Sequence, residues 1–101
     1  KMNLFEMSEN LNFNPDIVFN TTSAGIKNEN IELPRDLLSE DIYVYDLSYS
    51  LEDTPFIKLV KSSGIENYND GIGMLINQAA LSFKIWNNQL PNSNITKAEL
   101  L

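Results

Sequence analysis

Apolar residues fall along the chain in short runs separated by polar turns, in the alternation typical of an α/β domain. The run Asp16–Thr21 holds three consecutive apolar residues, which predicts a strand covered on both faces, as in a parallel sheet. The run Ile42–Tyr49 is β-branched and aromatic and is the clearest strand of the sequence. Between them, residues 26–41 are mostly polar and predict a loop with room for one helical turn. A weakly helical lead-in is expected over Phe5–Leu11.

Side chains of the second strand alternate between two faces, because successive residues of a strand point to opposite sides. One side is predicted to carry Tyr43, Tyr45, Leu47 and Tyr49, and the other Ile42, Val44, Asp46 and Ser48. A carboxyl group therefore falls on the same side as two aliphatic residues.

The first clear helix begins at Thr54, whose hydroxyl is typical of an N-cap and is followed by Pro55, a residue favoured at the first helical position. Gly64 is expected to end that helix, since glycine adopts the left-handed conformation common after a helix. The segment Ile65–Tyr68 then predicts a short strand.

A long helix is predicted from Gly71 to Trp86, with Asp70 as its cap. A polar break around Pro91 follows, and a last short helix is expected over Thr96–Leu101. Strands alternating with helices in this order favour a parallel sheet with right-handed crossovers.

Composition narrows the range of functions. The 101 residues suffice for one small domain, and the net charge of −7 disfavours nucleic acid and anionic membrane surfaces as partners. The apolar runs are too short to span a bilayer. The absence of cysteine and histidine excludes thiolate zinc sites, a cysteine nucleophile and a histidine base. It also fits a cytoplasmic location. No metal site is expected in this chain.

Gln78 is the unusual residue of the long helix. On a helical wheel it falls between two apolar faces, so we expect it to be half-buried and the helix to be buried on most sides. An unpaired buried amide would cost about 1–3 kcal/mol, which means that Gln78 needs a partner. The partner is either a neighbouring backbone group or a ligand hydroxyl, which an amide can both donate to and accept from.

The glycines at the start of this helix also allow two interpretations. Gly71 and Gly73 either permit a tight turn from strand to helix, or Gly71 lets a ligand approach the backbone at the helix N-terminus. Their spacing is not that of a dinucleotide-binding fingerprint.

Four segments, taken together in order, resemble the C-terminal part of the shikimate/quinate dehydrogenase family. They are Asp16–Gly25, similar to a strand ending in Asn-Ala-Thr-x-x-Gly; Tyr45–Tyr49, similar to Tyr-Asp-x-x-Tyr; Thr54-Pro55-Phe56; and Asp70–Ala80 with Phe83 and Trp86. The resemblance implies an α/β fold: the second half of a Rossmann-like parallel sheet of three strands, with flanking helices and C-terminal closing helices. Residues 1–101 would be the C-terminal part of the NADP-binding domain plus those closing helices.

The resemblance also implies roles for single residues. Tyr49 and Gln78 match substrate-binding positions of the family. Thr22, Leu47 and Gly71 match positions beside the cofactor, NADP. The alternative for Tyr49 is a purely structural role as a core or surface aromatic residue.

The family's activity is the reversible, NADP-dependent reduction of 3-dehydroshikimate to shikimate, a step of aromatic amino acid and chorismate biosynthesis. Its substrate domain, with a catalytic lysine and aspartate, and its glycine-rich loop have no counterpart among these residues. The resemblance therefore implies that the chain contains no catalytic residue and is inactive alone.

Alternatives remain open at this point. The chain could belong to a relative that uses quinate, or it could be a non-catalytic interaction module that kept the fold. An unpaired strand edge or the closing helix is expected to make the chain self-associate.

Overall fold

The computed structural model describes residues 14–23, 33, 37–39 and 41–101. The secondary structure of this part, in chain order, is β1 (Ile17–Asn20), β2 (Tyr43–Asp46), α1 (Pro55–Ser62), β3 (Tyr68–Asn69), α2 (Ile72–Asn87) and α3 (Lys97–Leu100). The predicted lead-in over Phe5–Leu11, the turn residue Gly25 and most of the predicted loop 26–41 lie outside the described residues.

The three strands form one parallel sheet in the order β1-β2-β3. This confirms the predicted sheet and its α/β class. The third strand lies later than predicted, at Tyr68–Asn69, because Ile65 instead enters the core with 2% of its surface exposed. The second strand ends at Asp46, although the Leu47 N–H still donates to the Asn20 carbonyl at 3.0 Å.

The apolar core lies between the sheet and α1. Its buried members are Ile42, Val44, Phe56, Val60 and Ile65. Ile42, Val44 and Asp46 are at most 2% exposed whereas Tyr43 is 38% exposed, so the alternation predicted for the second strand is confirmed: its even-numbered side chains point inward.

The opposite face of the sheet is not covered by the described residues. Ile17 is 53% exposed and Phe19 is 62% exposed. Phe19 contacts its neighbour Tyr45 across the strands, with ring centroids 6.0 Å apart. The prediction that this strand is covered on both faces is therefore wrong for the described structure, because α1 packs against one face only.

Helix α1 begins and ends as the sequence predicts. The Thr54 hydroxyl accepts a hydrogen bond from the Ile57 N–H at 3.2 Å, and Pro55 occupies the first helical turn. After the helix, Gly64 adopts a φ of 81°, a conformation that side-chain-bearing residues rarely accept.

A buried polar cluster joins β1, β2 and α1. The Asp46 carboxyl is fully buried and accepts hydrogen bonds from the Asn20 amide (3.1 Å), the Ser48 N–H (3.1 Å) and the Thr54 hydroxyl (2.5 Å). Asn20 and Asp46 are register partners on adjacent strands, which places their side chains side by side. Each polar atom of the cluster is paired, as a buried polar group requires.

The start of α2 differs from the prediction by one residue. Gly71, not Asp70, is the N-cap, and it makes no side-chain capping bond. Asp70 nevertheless accepts from the Ile72 N–H at 3.1 Å, and its other carboxyl oxygen pairs with Lys97. Asp70 therefore links the start of α2 to the start of α3.

Helix α2 is largely exposed, which contradicts the expectation that it is buried on most sides. Ala80 is its single buried residue, and Gln78 is exposed instead of half-buried. The helix packs one side near the C-terminal segment, where Phe83 shares a groove of about 250 Å³ with Ile95 and Leu100. A three-stranded sheet is too small to cover the rest of this helix.

Helix α3 confirms the predicted short C-terminal helix. Thr96 and Glu99 form a capping box in which each side chain bonds the other residue's backbone N–H. Hydrogen bonds from the Thr96 N–H and hydroxyl hold the pKa of the Glu99 carboxyl below its usual value. None of the helices in the described part combines the length and apolarity needed to cross a membrane.

Replacement of Asp46 is expected to be severely destabilising. Asp46→Ala leaves three donors without a partner, and at about 1–3 kcal/mol for each buried unpaired group the free energy of unfolding should fall by at least ~3 kcal/mol. Urea denaturation followed by far-ultraviolet circular dichroism measures the change.

The matched control is Asp53→Ala, which removes an exposed pair with Lys61 and should change the unfolding midpoint little. Asp46→Asn, which keeps an acceptor for Asn20 and Ser48, should fall between the two. Equal losses in Asp46→Ala and Asp53→Ala would contradict the central role of the buried carboxyl.

Candidate functional site

A cleft opens where β1 and β2 end. Because the carboxyl ends of parallel strands meet at one edge of a sheet, the residues that follow the two strands face each other there. The cleft has a volume of about 620 Å³ and is lined by Thr21, Thr22, Ser23, Leu47, Ser48, Tyr49 and Ser50. Three residues predicted from the sequence, Thr22, Leu47 and Tyr49, are thus brought to one site.

The wall that follows β1 is fixed by Asn20. The side-chain oxygen of Asn20 accepts from both the backbone N–H of Thr22 (3.1 Å) and the Thr22 hydroxyl (2.8 Å). Asn20 is itself buried, with 6% of its surface exposed. Thr22 is exposed to the cleft but cannot turn freely.

The wall that follows β2 is held by Asp46 and by the neighbouring strand. Asp46 accepts from the Ser48 N–H, and the Leu47 N–H donates to the Asn20 carbonyl. Tyr49 is 41% exposed, and its hydroxyl forms no hydrogen bond to the described residues. A phenol in this setting can donate to or accept from a bound ligand.

Gly71 closes the back of the second wall. Its N–H donates to the Ser48 carbonyl at 3.0 Å, and it is buried. A Cβ atom at this position would lie 2.1 Å from the Leu47 carbonyl oxygen, so the residue must be glycine for α2 to approach β2. This contact explains Gly71 without a ligand; its place beside the cofactor stays a prediction.

Gly73 differs from Gly71. A Cβ built there would meet nothing within 4 Å, and the residue is exposed. Within the described structure no close contact therefore requires glycine at position 73.

Gln78 does not line the cleft. It lies seven residues beyond Gly71, about 10 Å further along the helix at 1.5 Å per residue. Its side chain bonds no group in the part of the chain that the structure describes, whereas its backbone carbonyl accepts from Ser82 at 3.0 Å. The expected bond between this amide and a neighbouring backbone group is therefore not found there.

The residues that support the cleft, Asn20 and Asp46, were not predicted from the sequence. A signal was present, since Asp46 alternates with Ile42 and Val44 on the inward side of its strand, where a carboxyl requires partners. Among residues 14–23, 33, 37–39 and 41–101, no group of three or more acidic, cysteine or histidine side chains could hold a metal ion.

Comparison with known proteins adds independent findings. Residues 71–101 match the family model described as the C-terminal domain of shikimate 5′-dehydrogenase. The curated NADP⁺-dependent shikimate dehydrogenase of Haemophilus ducreyi is 42% identical over 84 residues, which are 81% of this chain and 30% of that protein. That of Halorhodospira halophila is 44% identical over 77% of this chain and 29% of its own length. The chain thus spans about 30% of the length of these relatives.

Solved structures show the same fold. Shikimate 5-dehydrogenase of Listeria monocytogenes, in complex with shikimate and NAD, aligns with a TM-score of 0.72 at 27% identity over 85% of this chain and 30% of its own. A shikimate dehydrogenase in complex with NADP⁺ aligns at 0.68 and 36% identity over 82% and 30%. The 5-ketofructose reductase of a Gluconobacter strain aligns at 0.71 and 28% identity over 88% and 32%.

The two glycines give a matched pair of substitutions. Gly71→Ala places a methyl group against the Leu47 carbonyl and should lower the free energy of unfolding by about 1–3 kcal/mol, as overpacking does. Gly73→Ala meets no atom and should raise it by about 0.5–1 kcal/mol, because alanine is the better helix former. Thermal and urea unfolding measure both changes. A Gly71→Ala variant as stable as Gly73→Ala would show that α2 does not approach β2 this closely.

Proposed function

We propose, from the premise that the chain belongs to the shikimate dehydrogenase family, that its cleft receives the nicotinamide end of NADP beside shikimate or 3-dehydroshikimate. The observation that carries the proposal is the convergence of Thr22, Leu47 and Tyr49 on one cleft at the carboxyl ends of β1 and β2. Ligands of open α/β sheets bind at such edges.

The cleft suits a nicotinamide nucleotide in its lining. Leu47 offers an apolar surface to a flat ring, and the hydroxyl of Thr22 offers a polar contact to the groups that the ring carries. The backbone of Gly71 packs closely against the Leu47 carbonyl, on which this wall rests. When bound, the nicotinamide would supply or accept the hydride, while these residues would orient it.

Tyr49 and Gln78 are assigned to the substrate. Tyr49 lines the cleft, and its hydroxyl can bond a hydroxyl or carboxylate of a polyol acid. Gln78 is exposed on α2, and its amide forms no hydrogen bond within the described part of the chain. We place it at the far side of the substrate from Tyr49.

The proposed activity is the reversible, NADP-dependent reduction of 3-dehydroshikimate to shikimate by a protein that also supplies a catalytic lysine and aspartate. These 101 residues hold no counterpart of that pair, so we expect them to bind ligands without turnover. A cytoplasmic location stays a prediction of the sequence.

Binding to the chain tests this assignment. Addition of shikimate and NADP⁺ should shift the backbone amide signals of Thr22, Ser48 and Tyr49 in nuclear magnetic resonance spectra. Tyr49→Phe and Gln78→Ala should each weaken shikimate binding about fivefold, the effect of losing one neutral hydrogen bond. Gln89→Ala, which alters another exposed glutamine, is the control and should change nothing.

Several outcomes would contradict the proposal. Shifts confined to residues away from the cleft would remove the assigned site, and oxidation of shikimate by the chain alone would refute its inactivity. Tighter binding of quinate than of shikimate would assign the chain to the quinate-using branch. Absence of any binding would favour an interaction module.

Self-association is part of the same proposal, with a second copy of the chain as the partner. Helix α2 exposes an apolar stripe that consists of Met74 (47% exposed), Leu81 (57%) and Ile85 (80%), and Trp86 (80% exposed) lies beside it on the neighbouring face. Lys84 is the one charged residue of this helix, so two copies of the stripe can meet without facing carboxylates. Exposed apolar area of this kind is typical of protein interfaces.

Light scattering behind size-exclusion chromatography tests this pairing. The mean mass of the chain should rise with concentration, and Ile85→Lys should return it to the mass of one copy because a charge would be buried at the interface. Lys58→Glu, on exposed α1 surface, is the charge-changing control and should leave the association intact. A single-copy mass at all concentrations would refute the pairing. If the association were unaffected by Ile85→Lys, the interface would be assigned to the edge of β1 instead of α2.

A further inference from the structure

The amide group of Asn20 has one possible orientation. A carboxylate offers only acceptors, so the Asn20 atom 3.1 Å from Asp46 must be the donating nitrogen. The backbone N–H of Thr22 offers only a donor, so the atom 3.1 Å from it must be the accepting oxygen. Both ends of the amide are therefore fixed by groups that cannot exchange roles.

This orientation determines the direction of the next hydrogen bond. The Thr22 hydroxyl lies 2.8 Å from the same Asn20 oxygen, which accepts only, so the hydroxyl must donate its one hydrogen to Asn20. What remains for the cleft is the lone-pair side of the Thr22 oxygen. Ser50, on the other wall, likewise donates its hydroxyl hydrogen internally, to the Glu52 carbonyl.

We propose that Thr22 is a specificity-determining residue that accepts a hydrogen bond from its ligand, and that Asn20 and Asp46 are positioning residues that impose this polarity. The inference rests on the proposed function, because it takes a nicotinamide nucleotide as the ligand. The bonded group is an N–H or O–H donor. The nucleotide offers two such groups near the ring, the carboxamide and the ribose hydroxyls.

A ligand that presented an acceptor at this point would have to break the bond between Thr22 and Asn20. The displaced Asn20 oxygen is buried and would keep only the Thr22 backbone N–H as a partner. Discrimination between a donor and its acceptor counterpart should therefore be about fivefold, the effect of one neutral hydrogen bond.

The experiment compares three ligands on the full 101-residue chain by titration of the Ser48 and Tyr49 amide signals. The reference is nicotinamide mononucleotide. One analogue has an acetyl group in place of the carboxamide, which keeps the acceptor and removes the donors, and the other lacks both ribose hydroxyls. One analogue should bind about fivefold more weakly than the reference, and which one it is identifies the donor.

Variants assign that discrimination to Thr22. Thr22→Ser keeps the hydroxyl and should keep the fivefold ratio, whereas Thr22→Val has the same shape without the hydroxyl and should reduce the ratio to about one. Asn20→Ala frees the Thr22 hydroxyl to donate and should lower the ratio without abolishing binding of the reference ligand. The ratio of the reference ligand's affinity to that of the weaker analogue would not change if Asn20 had a merely structural role, although affinity and stability would. Thr22 is exposed, so its variants test the inference even if Asn20→Ala does not fold.

The failures are distinguishable. Equal binding of all three ligands, or a ratio that persists in Thr22→Val, would overturn the inference and leave the nucleotide site in place. Nicotinamide mononucleotide that leaves the Ser48 and Tyr49 signals unshifted would overturn the proposed function, and the inference with it.

Discussion

The Asp46 carboxyl is the point on which the described structure depends. It is fully buried at the end of the central strand, and its three hydrogen bonds reach β1 through Asn20, the cleft through Ser48 and the start of α1 through Thr54. Burial of a carboxyl is unfavourable unless its oxygens are paired, so the sheet edge, the loop and the helix must all be in place together. Stability and the shape of the cleft are thereby tied to the same group.

The two ends of the small sheet are built differently. The interior is an ordinary aliphatic and aromatic core in which Val44 and Phe56 exclude water. Two residues further along β2, at Asp46, the same inward face becomes polar, and the strands give way to the cleft. Apolar packing holds the helix against the sheet, whereas the hydrogen bonds, with their fixed donors and acceptors, orient the groups around the cleft. The directional end is the one suited to recognition.

Features set by neighbouring residues could be predicted from the sequence, and features set by distant surroundings could not. Thr54 begins helix α1 and Gly64 follows its end, both through local backbone geometry, and both were predicted correctly. The convergence of Thr22 and Tyr49 also follows from parallel strand order. The burial of α2 was predicted wrongly, because an apolar helix is buried only if enough other chain surrounds it. The role of Gly71 against Leu47 is visible only in the folded structure, since no pattern in the sequence encodes a distance between two backbones.

The link between Asp70 and Lys97 has a consequence for the order in which the molecule opens. Helix α3 has four residues, far fewer than an isolated helix needs to persist in water, so its order depends on the capping box, on the ion pair between Lys97 and Asp70 and on the apolar groove that it shares with α2. High ionic strength weakens such a pair. The C-terminal segment would therefore detach as a unit in salt while the sheet stays intact, and its amide hydrogens would exchange with solvent ahead of those of β2. Its departure would uncover Leu75 and the rest of Phe83, and so add to the apolar surface that α2 already exposes to water.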